Sequence, residues 1–376
     1  MPHLQLSCIC FFVIMLFSYN SYAEKPDITE LPGDGIGASY HYGKILKHRE
    51  YFRPEVKGPT NLVSFNYEKQ TDGSFFWHEY LNYPRLGISL IAGDFGDREV
   101  FGRIYGFSGN VSFCMLRRSF VDIYFTLSTG LAFIDRQYHP VDNFDNNVIG
   151  SKLNNYTAFS FSANWRLINQ WRLISGVSYH HFSNGNYQKA NLGINVPVVF
   201  AGLQYEFQEV QTEQSPLTET FNAFNFFVRA GFGMHEGGLP GGPKYPVYTT
   251  SLAGGYSFSP VSRLFVGVDA TYDIAKREFL IMQEIESGNE AVLNSIFGSV
   301  IIGNELLLGK LGIYKSLGFY VLKSDEFTNK IFTKIGLQYY PFVDVNIPAK
   351  GFFIGTYLKS HQAVADFVEF GAGWQF

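Results

Sequence analysis

From Gly35 to the C-terminal Phe376, the chain is a succession of segments in which apolar residues alternate with small or polar ones. A period of two residues places successive side chains on opposite faces of a β-strand. We count about sixteen such segments, each roughly 9 to 14 residues long, and the clearest are residues 100–113, 121–133, 263–274 and 366–376. The pattern predicts an all-β chain built from long strands.

The length of these segments indicates where the strands lie. Strands in soluble sheets are usually about five or six residues long, whereas a tilted crossing of a bilayer takes about 9 to 11. Backbone groups in lipid must all be paired, so spanning strands must close on themselves. We therefore predict an antiparallel transmembrane β-barrel of the outer-membrane type with about sixteen strands. The alternative is a secreted β-sandwich, which fits the strand length and the 18% aromatic content less well.

The connections between strands support a barrel in the outer membrane of a Gram-negative bacterium. Tight turns are predicted at 166–171, 259–263 and 309–312, and long polar loops at 135–154 and 275–295. Short turns on one side and long loops on the other are typical of outer-membrane barrels. The chain also ends on an alternating series that resembles the C-terminal signal for barrel insertion, so we expect the barrel-assembly machinery as a partner: Val368, Phe370, Ala372, Trp374 and Phe376.

The first 23 residues have the features of a secretory signal peptide. An apolar run over 9–17 precedes the small-x-small sequence that ends at Ala23, although the segment before the run contains His3 and neither Lys nor Arg. The run is too short to cross a bilayer as a helix. Cleavage after Ala23 would leave Cys114 as the single cysteine of the mature chain, which excludes an intramolecular disulfide and a cysteine-based metal site.

The charge of the chain excludes nucleic acid as a partner. The formal net charge is -4 with both signs interspersed, and the chain has neither a basic stripe nor a glycine-rich phosphate loop. A basic cluster does fall in the predicted first outer loop, where we expect either a solvated surface or contact with phosphate groups of the outer-leaflet lipid: Lys44, Lys47, Arg49 and Arg53.

A weak internal repeat suggests two halves. Residues 171–181 and 351–361 can be aligned with a histidine closing both, and each is followed by a strand that ends in a similar motif, "GLQYEF" and "GAGWQF". Chance similarity between alternating strands is the other interpretation. We predict a first barrel half over 24–207 and a second over 208–376, each with about eight strands in one wall.

One hairpin, residues 178–195, places polar groups on an apolar face. Alternation along its first strand puts His181 and Ser183 on the face that carries Leu173 and Val177, which in a barrel is the lipid face. A turn centred near Gln188 would set Asn195 opposite His181. A lone histidine against acyl chains would be costly, so the grouping suggests a function.

Serine, histidine and a group that orients the histidine are what nucleophilic acyl transfer requires. With a periplasmic N-terminus, the strand bearing His181 and Ser183 runs outward and ends near the outer leaflet, which holds lipopolysaccharide. The arrangement predicts ester hydrolysis on a lipid that the membrane presents sideways. The alternative is a polar hairpin tip in which the three side chains meet by chance.

The stretch "HFSNGNYQKANLGIN" resembles the His-x-Ser-Asn motif of the lipid A 3-O-deacylases and the related outer-membrane acyloxyacyl hydrolase family. The resemblance implies that Ser183 is the nucleophile and His181 the general base. It also implies that Asn191 donates to the oxyanion, helped by main-chain N–H groups near Asn184. The implied reaction removes a 3-linked hydroxyacyl chain from lipid A without a metal or cofactor, with lipopolysaccharide as the substrate.

The chain departs from this family in two ways. Asn195 stands where the best-known members have a glutamate, and an amide in place of an acid can lower the rate of a serine triad about 10⁴-fold. The second half carries His361 but Ala363 where the serine would be, so we expect wall and no catalysis there. A non-catalytic barrel, either a wide channel or a lipopolysaccharide-binding relic, is therefore the alternative function.

Overall fold

The structure is a computed structural model that describes residues 30–213, 223–322, 330–343, 350–362 and 364–376. Within these ranges, sixteen long strands form two closed antiparallel barrels of eight strands each. The proposed signal peptide lies outside the described residues.

The first barrel contains strands β2 to β9 in chain order. Their bounds are β2 Gly35–Gly43, β3 Thr60–Gln70, β4 Arg85–Asp94, β5 Arg103–Arg117, β6 Val121–Ile134, β7 Leu153–Arg166, β8 Trp171–Ser183 and β9 Ile194–Glu206. A separate two-stranded sheet pairs β1 (Glu30–Leu31) with β10 (Val210–Gln211).

The second barrel contains strands β11 to β18, also in chain order. Their bounds are β11 Ala223–Glu236, β12 Lys244–Ser259, β13 Ser262–Asp273, β14 Ile296–Leu308, β15 Leu311–Leu322, β16 Ile331–Tyr339, β17 Gly351–His361 and β18 Val364–Gln375. Three short helices lie in connections: α1 (Phe76–Tyr80), α2 (Ile274–Met282) and α3 (Gly288–Leu293). No helix in the described part of the chain is long and apolar enough to cross a membrane.

The prediction of an all-β barrel protein with sixteen strands in two eight-strand units is confirmed, but the two units do not share one wall. Strand β2 pairs over its whole length with β9, and β11 pairs with β18, so the first and last strands of each unit are hydrogen-bonded to each other. Eight strands enclose an interior that side chains can fill. A unit of eight strands can therefore form a closed barrel by itself, with inward side chains filling its interior.

The interior of each barrel is filled by such side chains. In the first, Glu206 accepts hydrogen bonds from Arg85 and Arg172, with the closest nitrogen of each at 2.6 Å. In the second, the Lys334 ammonium lies 2.7 Å from Asp269 and 2.8 Å from Glu369. The wide aqueous channel considered for a single sixteen-stranded wall has no counterpart in the residues that the structure describes.

The barrels have two distinct ends. The loop end carries the long connections 44–59, 135–152, 184–193 and 274–295. The turn end carries the short turns 118–120, 167–170, 260–261 and 309–310.

At the turn end the two barrels share one apolar cluster. Helix α1 contributes Trp77, whose indole lies beside Gly309 of the second barrel. The cluster also includes Phe113 and Phe125 of the first barrel and Leu306 of the second.

The neighbouring His78 helps to hold α1 in place. Burial lowers the pKa of His78 to about 4, so its ring is neutral near pH 7. Its Nδ1 can therefore accept a hydrogen bond from the Gly73 N–H, at 3.1 Å.

Candidate active site

The predicted triad residues lie on the outward face of the first barrel, at its loop end. Along β8 the odd-numbered Leu173 and Val177 are exposed, and His181 follows on the same face. The register pairs His181 directly with Asn195 across the β8–β9 hairpin. His180, by contrast, points into the barrel, where its Nδ1 lies 2.9 Å from the Tyr156 hydroxyl.

The structure brings Ser183, His181 and Asn195 into a continuous hydrogen-bonded row. His181 Nδ1 lies 2.6 Å from Asn195 Oδ1, and His181 Nε2 lies 2.9 Å from Ser183 Oγ. An amide oxygen can only accept a hydrogen bond, so Nδ1 carries the proton and donates a hydrogen bond to Asn195 Oδ1. Nε2 is then unprotonated and accepts from the Ser183 hydroxyl, which is the arrangement a general base needs.

Although this row faces outward, loops cover it. Ser183 is only 5% exposed and Asn195 only 8%. The cover comes largely from residues 184–193, which join β8 to β9 and which we call the site loop. A covered site at a membrane surface excludes water, and electrostatic interactions are stronger there than in bulk solvent.

Asn184 organises the site loop. Its main-chain N–H donates to Asn191 Oδ1 at 3.0 Å, and its side-chain amide donates to Ser151 Oγ at 2.9 Å and to the Gln188 carbonyl at 2.8 Å. The first of these bonds fixes the side-chain amide of Asn191 by its oxygen end. The orientation leaves the Nδ2 end of Asn191 as the donating end.

Gly193 closes the loop against the histidine. It has a φ of +78°, and a Cβ at this position would stand 2.9 Å from His181 Cε1. A side chain here would both strain the backbone and push the imidazole away from its partners. The glycine of the motif therefore permits the close approach of the chain to His181.

Other loops of the first barrel complete the cover, and these contacts were missed from the sequence. His48 Nε2 donates to the Leu192 carbonyl at 3.1 Å, and the Leu46 N–H donates to the Asn195 carbonyl at 2.8 Å. Neither residue belongs to the motif, so no local pattern could have found them. Their loop, 44–59, also carries the basic cluster, in which Arg53 stacks on the Phe144 ring at 4.4 Å from its centroid.

The second barrel also contacts the site loop. Glu236 Oε2 accepts from the Lys189 N–H, and the Glu236 N–H donates to the Asn186 carbonyl at 3.3 Å. Asn186 Nδ2 donates to the Asp366 carbonyl at 3.0 Å, and Lys189 Nζ donates to the Gly238 carbonyl at 2.7 Å. We call these contacts the inter-barrel clamp.

The second barrel has no equivalent site loop. Its seventh strand, β17, ends at His361, the position that the repeat aligns with His181, but only residues 362 and 363 separate it from β18. His361 Nε2 lies 3.1 Å from the Tyr320 hydroxyl. Ala363, which stands where a serine would be needed for catalysis, lies outside the described residues. The ten residues between β8 and β9 thus correspond to only two between β17 and β18.

Two related sequence families match the chain in succession. The family described as lipid A 3-O-deacylase (PagL) matches residues 62–204, which include the whole row from His181 to Asn195. The family described as acyloxyacyl hydrolase, C-terminal domain, matches residues 221–376, which contain the second barrel. A comparison with curated proteins found no match.

Solved structures with some likeness to the chain include three outer-surface or transport proteins. Neisserial surface protein A is 11% identical, with a TM-score of 0.33, and the match covers 46% of this chain and 97% of that one. A mutant porin of Rh. blastica is 10% identical, with a TM-score of 0.18, over 91% of this chain and all (100%) of that one. The FrpB iron transporter from Neisseria meningitidis is 9% identical, with a TM-score of 0.22, over 91% and 68%.

Proposed function

Because this chain belongs to the family of lipid A 3-O-deacylases and acyloxyacyl hydrolases, we propose that its first barrel removes a 3-linked hydroxyacyl chain from lipid A by serine catalysis. The family makes the protein a hydrolase of the Gram-negative outer membrane. The observation that carries the proposal is the row Asn195–His181–Ser183 on the outward face at the loop end. An ester bond of a lipid in the outer leaflet can reach this position from the side.

In the proposed reaction, Ser183 Oγ attacks the ester carbonyl of the acyl chain while His181 Nε2 takes the hydroxyl proton. The imidazolium that forms keeps its Nδ1–H bond to Asn195. Collapse of the tetrahedral intermediate breaks the bond to the sugar oxygen, which takes the proton from His181 and leaves as a free hydroxyl group. A water molecule, deprotonated by His181, then attacks the acyl-serine carbonyl, and as the fatty acid leaves, His181 returns that proton to Ser183 Oγ.

We assign the oxyanion donor to the Nδ2 group of Asn191. All the side-chain and main-chain N–H groups of Asn184 donate within the loop or to Ser151, so Asn184 acts by holding Asn191. A donor held in advance by its neighbours stabilises the developing negative charge without reorganising during the reaction.

Mass spectrometry of lipid A tests the proposed function. A Gram-negative host that expresses the protein should contain lipid A lighter by one hydroxyacyl chain, and a host that expresses His181→Ala should not. His139→Ala, which changes an exposed loop histidine, serves as the matched control and should behave as wild type. Unchanged lipid A in the wild-type host, with the barrel inserted, would instead support the non-catalytic lipopolysaccharide-binding barrel.

Removing the amide donor of Asn191 should slow the chemical step. We expect Asn191→Ala and Asn191→Asp each to lower kcat about 10² to 10³-fold, the usual cost of losing one oxyanion donor. The aspartate keeps an oxygen for the Asn184 N–H but has no N–H group to donate, so it separates donation from loop structure. Steady-state kinetics on purified protein would measure this, and an Asn191→Asp variant with wild-type kcat would contradict the assignment.

Loosening the inter-barrel clamp should also reduce turnover. Glu236→Ala removes the acceptor of both the Lys189 N–H and the Gly241 N–H, so the site loop gains freedom near Asn191. We expect kcat to fall about tenfold or more with KM nearly unchanged, since small misplacements of a catalytic group are costly. Glu290→Ala, at an exposed acid on α3 of the same barrel, should leave both constants unchanged, and equal effects of the two variants would refute a positioning role.

A further inference from the structure

An apolar groove of about 770 Å³ runs along the outward face of the second barrel. This volume lies within the roughly 300–1,000 Å³ of typical small-molecule sites. Small residues form its floor, and larger apolar side chains, among them Phe232, Leu337, Ile354 and Phe370, form its sides. Phe370 and Ile354 are 67% and 47% exposed, so no other part of the described chain covers the groove.

The groove is built from two successive rows of paired residues. The row nearer the loop end is Phe232, Phe370, Thr356 and Leu337, and the next row is Ala230, Ala372, Ile354 and Tyr339. Thr356 is the small residue between Leu337 and Phe370 in the first row, and Ala372 and Ala230 lie side by side in the second. These small side chains leave the groove open from the loop end towards the membrane interior.

The groove begins beside Gly185, near the start of the site loop of the first barrel. The row above it on the same outward face contains Val368 paired with Leu358. Both side chains lie against Gly185 of the site loop, with Leu358 Cδ1 3.6 Å from where a Cβ of Gly185 would stand. Gly185 is two residues beyond Ser183, so the groove opens beside the row that cleaves the ester. One side of the groove meets the first barrel again, because Leu337 packs against the shared cluster.

We propose that this groove binds a long saturated acyl chain of the lipid substrate whose ester Ser183 attacks, so that the second barrel supplies the acyl subsite of the first. The inference rests on the proposed function and identifies where that function's substrate is held. A chain attached at the outer leaflet must run inward from Ser183, and the four residue steps of β18 from Val368 to Ala372 span about 14 Å in that direction. The walls carry no charge on the outward rows named above, as an acyl chain requires.

Photo-crosslinking can test the groove without depending on catalysis. Ser183→Ala protein in outer-membrane vesicles would be irradiated with lipid A that carries a diazirine in its 3-linked acyl chain, and the labelled peptides mapped by mass spectrometry. We expect label concentrated on β16 to β18 and displaced by unlabelled lipid A. The comparison surface is the outward face around Thr250 and Ala270, which pair with each other in the same barrel. Equal labelling of the two faces would overturn the proposal, because it would mean ordinary contact with membrane lipid.

Filling the groove provides the second arm of the test. Thr356→Phe and Ala372→Phe would occupy the groove, and Thr250→Phe and Ala270→Phe are the matched controls on the other outward face. We expect the groove variants to lower kcat/KM for lipid A about tenfold or more and to leave hydrolysis of a short ester, p-nitrophenyl butyrate, unchanged. The control variants should match wild type with both substrates.

The outcomes separate the groove from the proposed function. Groove variants that deacylate lipid A as wild type does, or that lose both activities alike, would refute an acyl subsite. If the wild-type protein deacylates nothing but crosslinks through the groove, the esterase proposal fails while the acyl-binding site stands.

Discussion

Replacing Ser183 with alanine is expected to lower kcat for deacylation by about 10⁴ to 10⁶-fold, because loss of the proposed nucleophile removes the covalent route. Its hydroxyl is the only group that His181 Nε2 contacts in the row, at 2.9 Å. The variant should still insert, since one small outward side chain is lost. Kinetics on purified barrel with lipid A in detergent would measure the effect.

The matched control for this variant is Ser175→Ala. Ser175 lies on the outward face of the same strand, where its hydroxyl accepts a hydrogen bond from the Trp165 indole. We expect this control to retain wild-type kcat. A Ser183→Ala protein that deacylates lipid A within tenfold of wild type would rule out Ser183 as the nucleophile.

The second large effect is expected at Asn195. Asn195→Ala removes the acceptor of the His181 Nδ1–H, so the imidazole loses the contact that selects its tautomer, and we expect kcat to fall about 10³-fold. Asn195→Asp keeps an oxygen at the same position and adds a negative charge opposite the imidazolium. It should therefore be at least as active as wild type, most clearly near neutral pH.

The two Asn195 variants also show how the rate depends on having asparagine at this position, where the best-known members of the resembled family have a glutamate. If Asn195→Ala has wild-type kcat, the amide does not orient His181 and the 2.6 Å contact is without catalytic consequence. If Asn195→Asp is much slower than wild type, the site has adapted to a neutral partner. Steady-state kinetics of both variants on one substrate distinguishes these results.

The hairpin geometry could be predicted from the sequence because it depends on a short-range rule. Alternation decides which side chains share a face, and a turn near Gln188 was enough to pair His181 with Asn195, as the register confirms. The outward position of the row follows from the apolar residues around it. These features involve contacts within about twenty residues of chain.

The separate closure of the two barrels could not be predicted in the same way. Period-two alternation assigns a face to each residue but does not specify the strand partner, so the pairing of Gly35 with Glu206 leaves no local trace. The same holds for Ser151 and Glu236, which support the site loop from distant parts of the chain. Their partners are set by three-dimensional closure, and a single sequence contains no pattern that links them.

Because the clamp joins two barrels of one polypeptide, it forms by an intramolecular encounter. A partner supplied by a second molecule would dissociate as the protein is diluted in the membrane, whereas a tethered partner remains at a high effective concentration at any dilution. The ratio of the barrel that carries the proposed site to the barrel that supports it is one to one from synthesis onwards. Turnover per molecule should consequently be the same in sparsely and densely populated membranes.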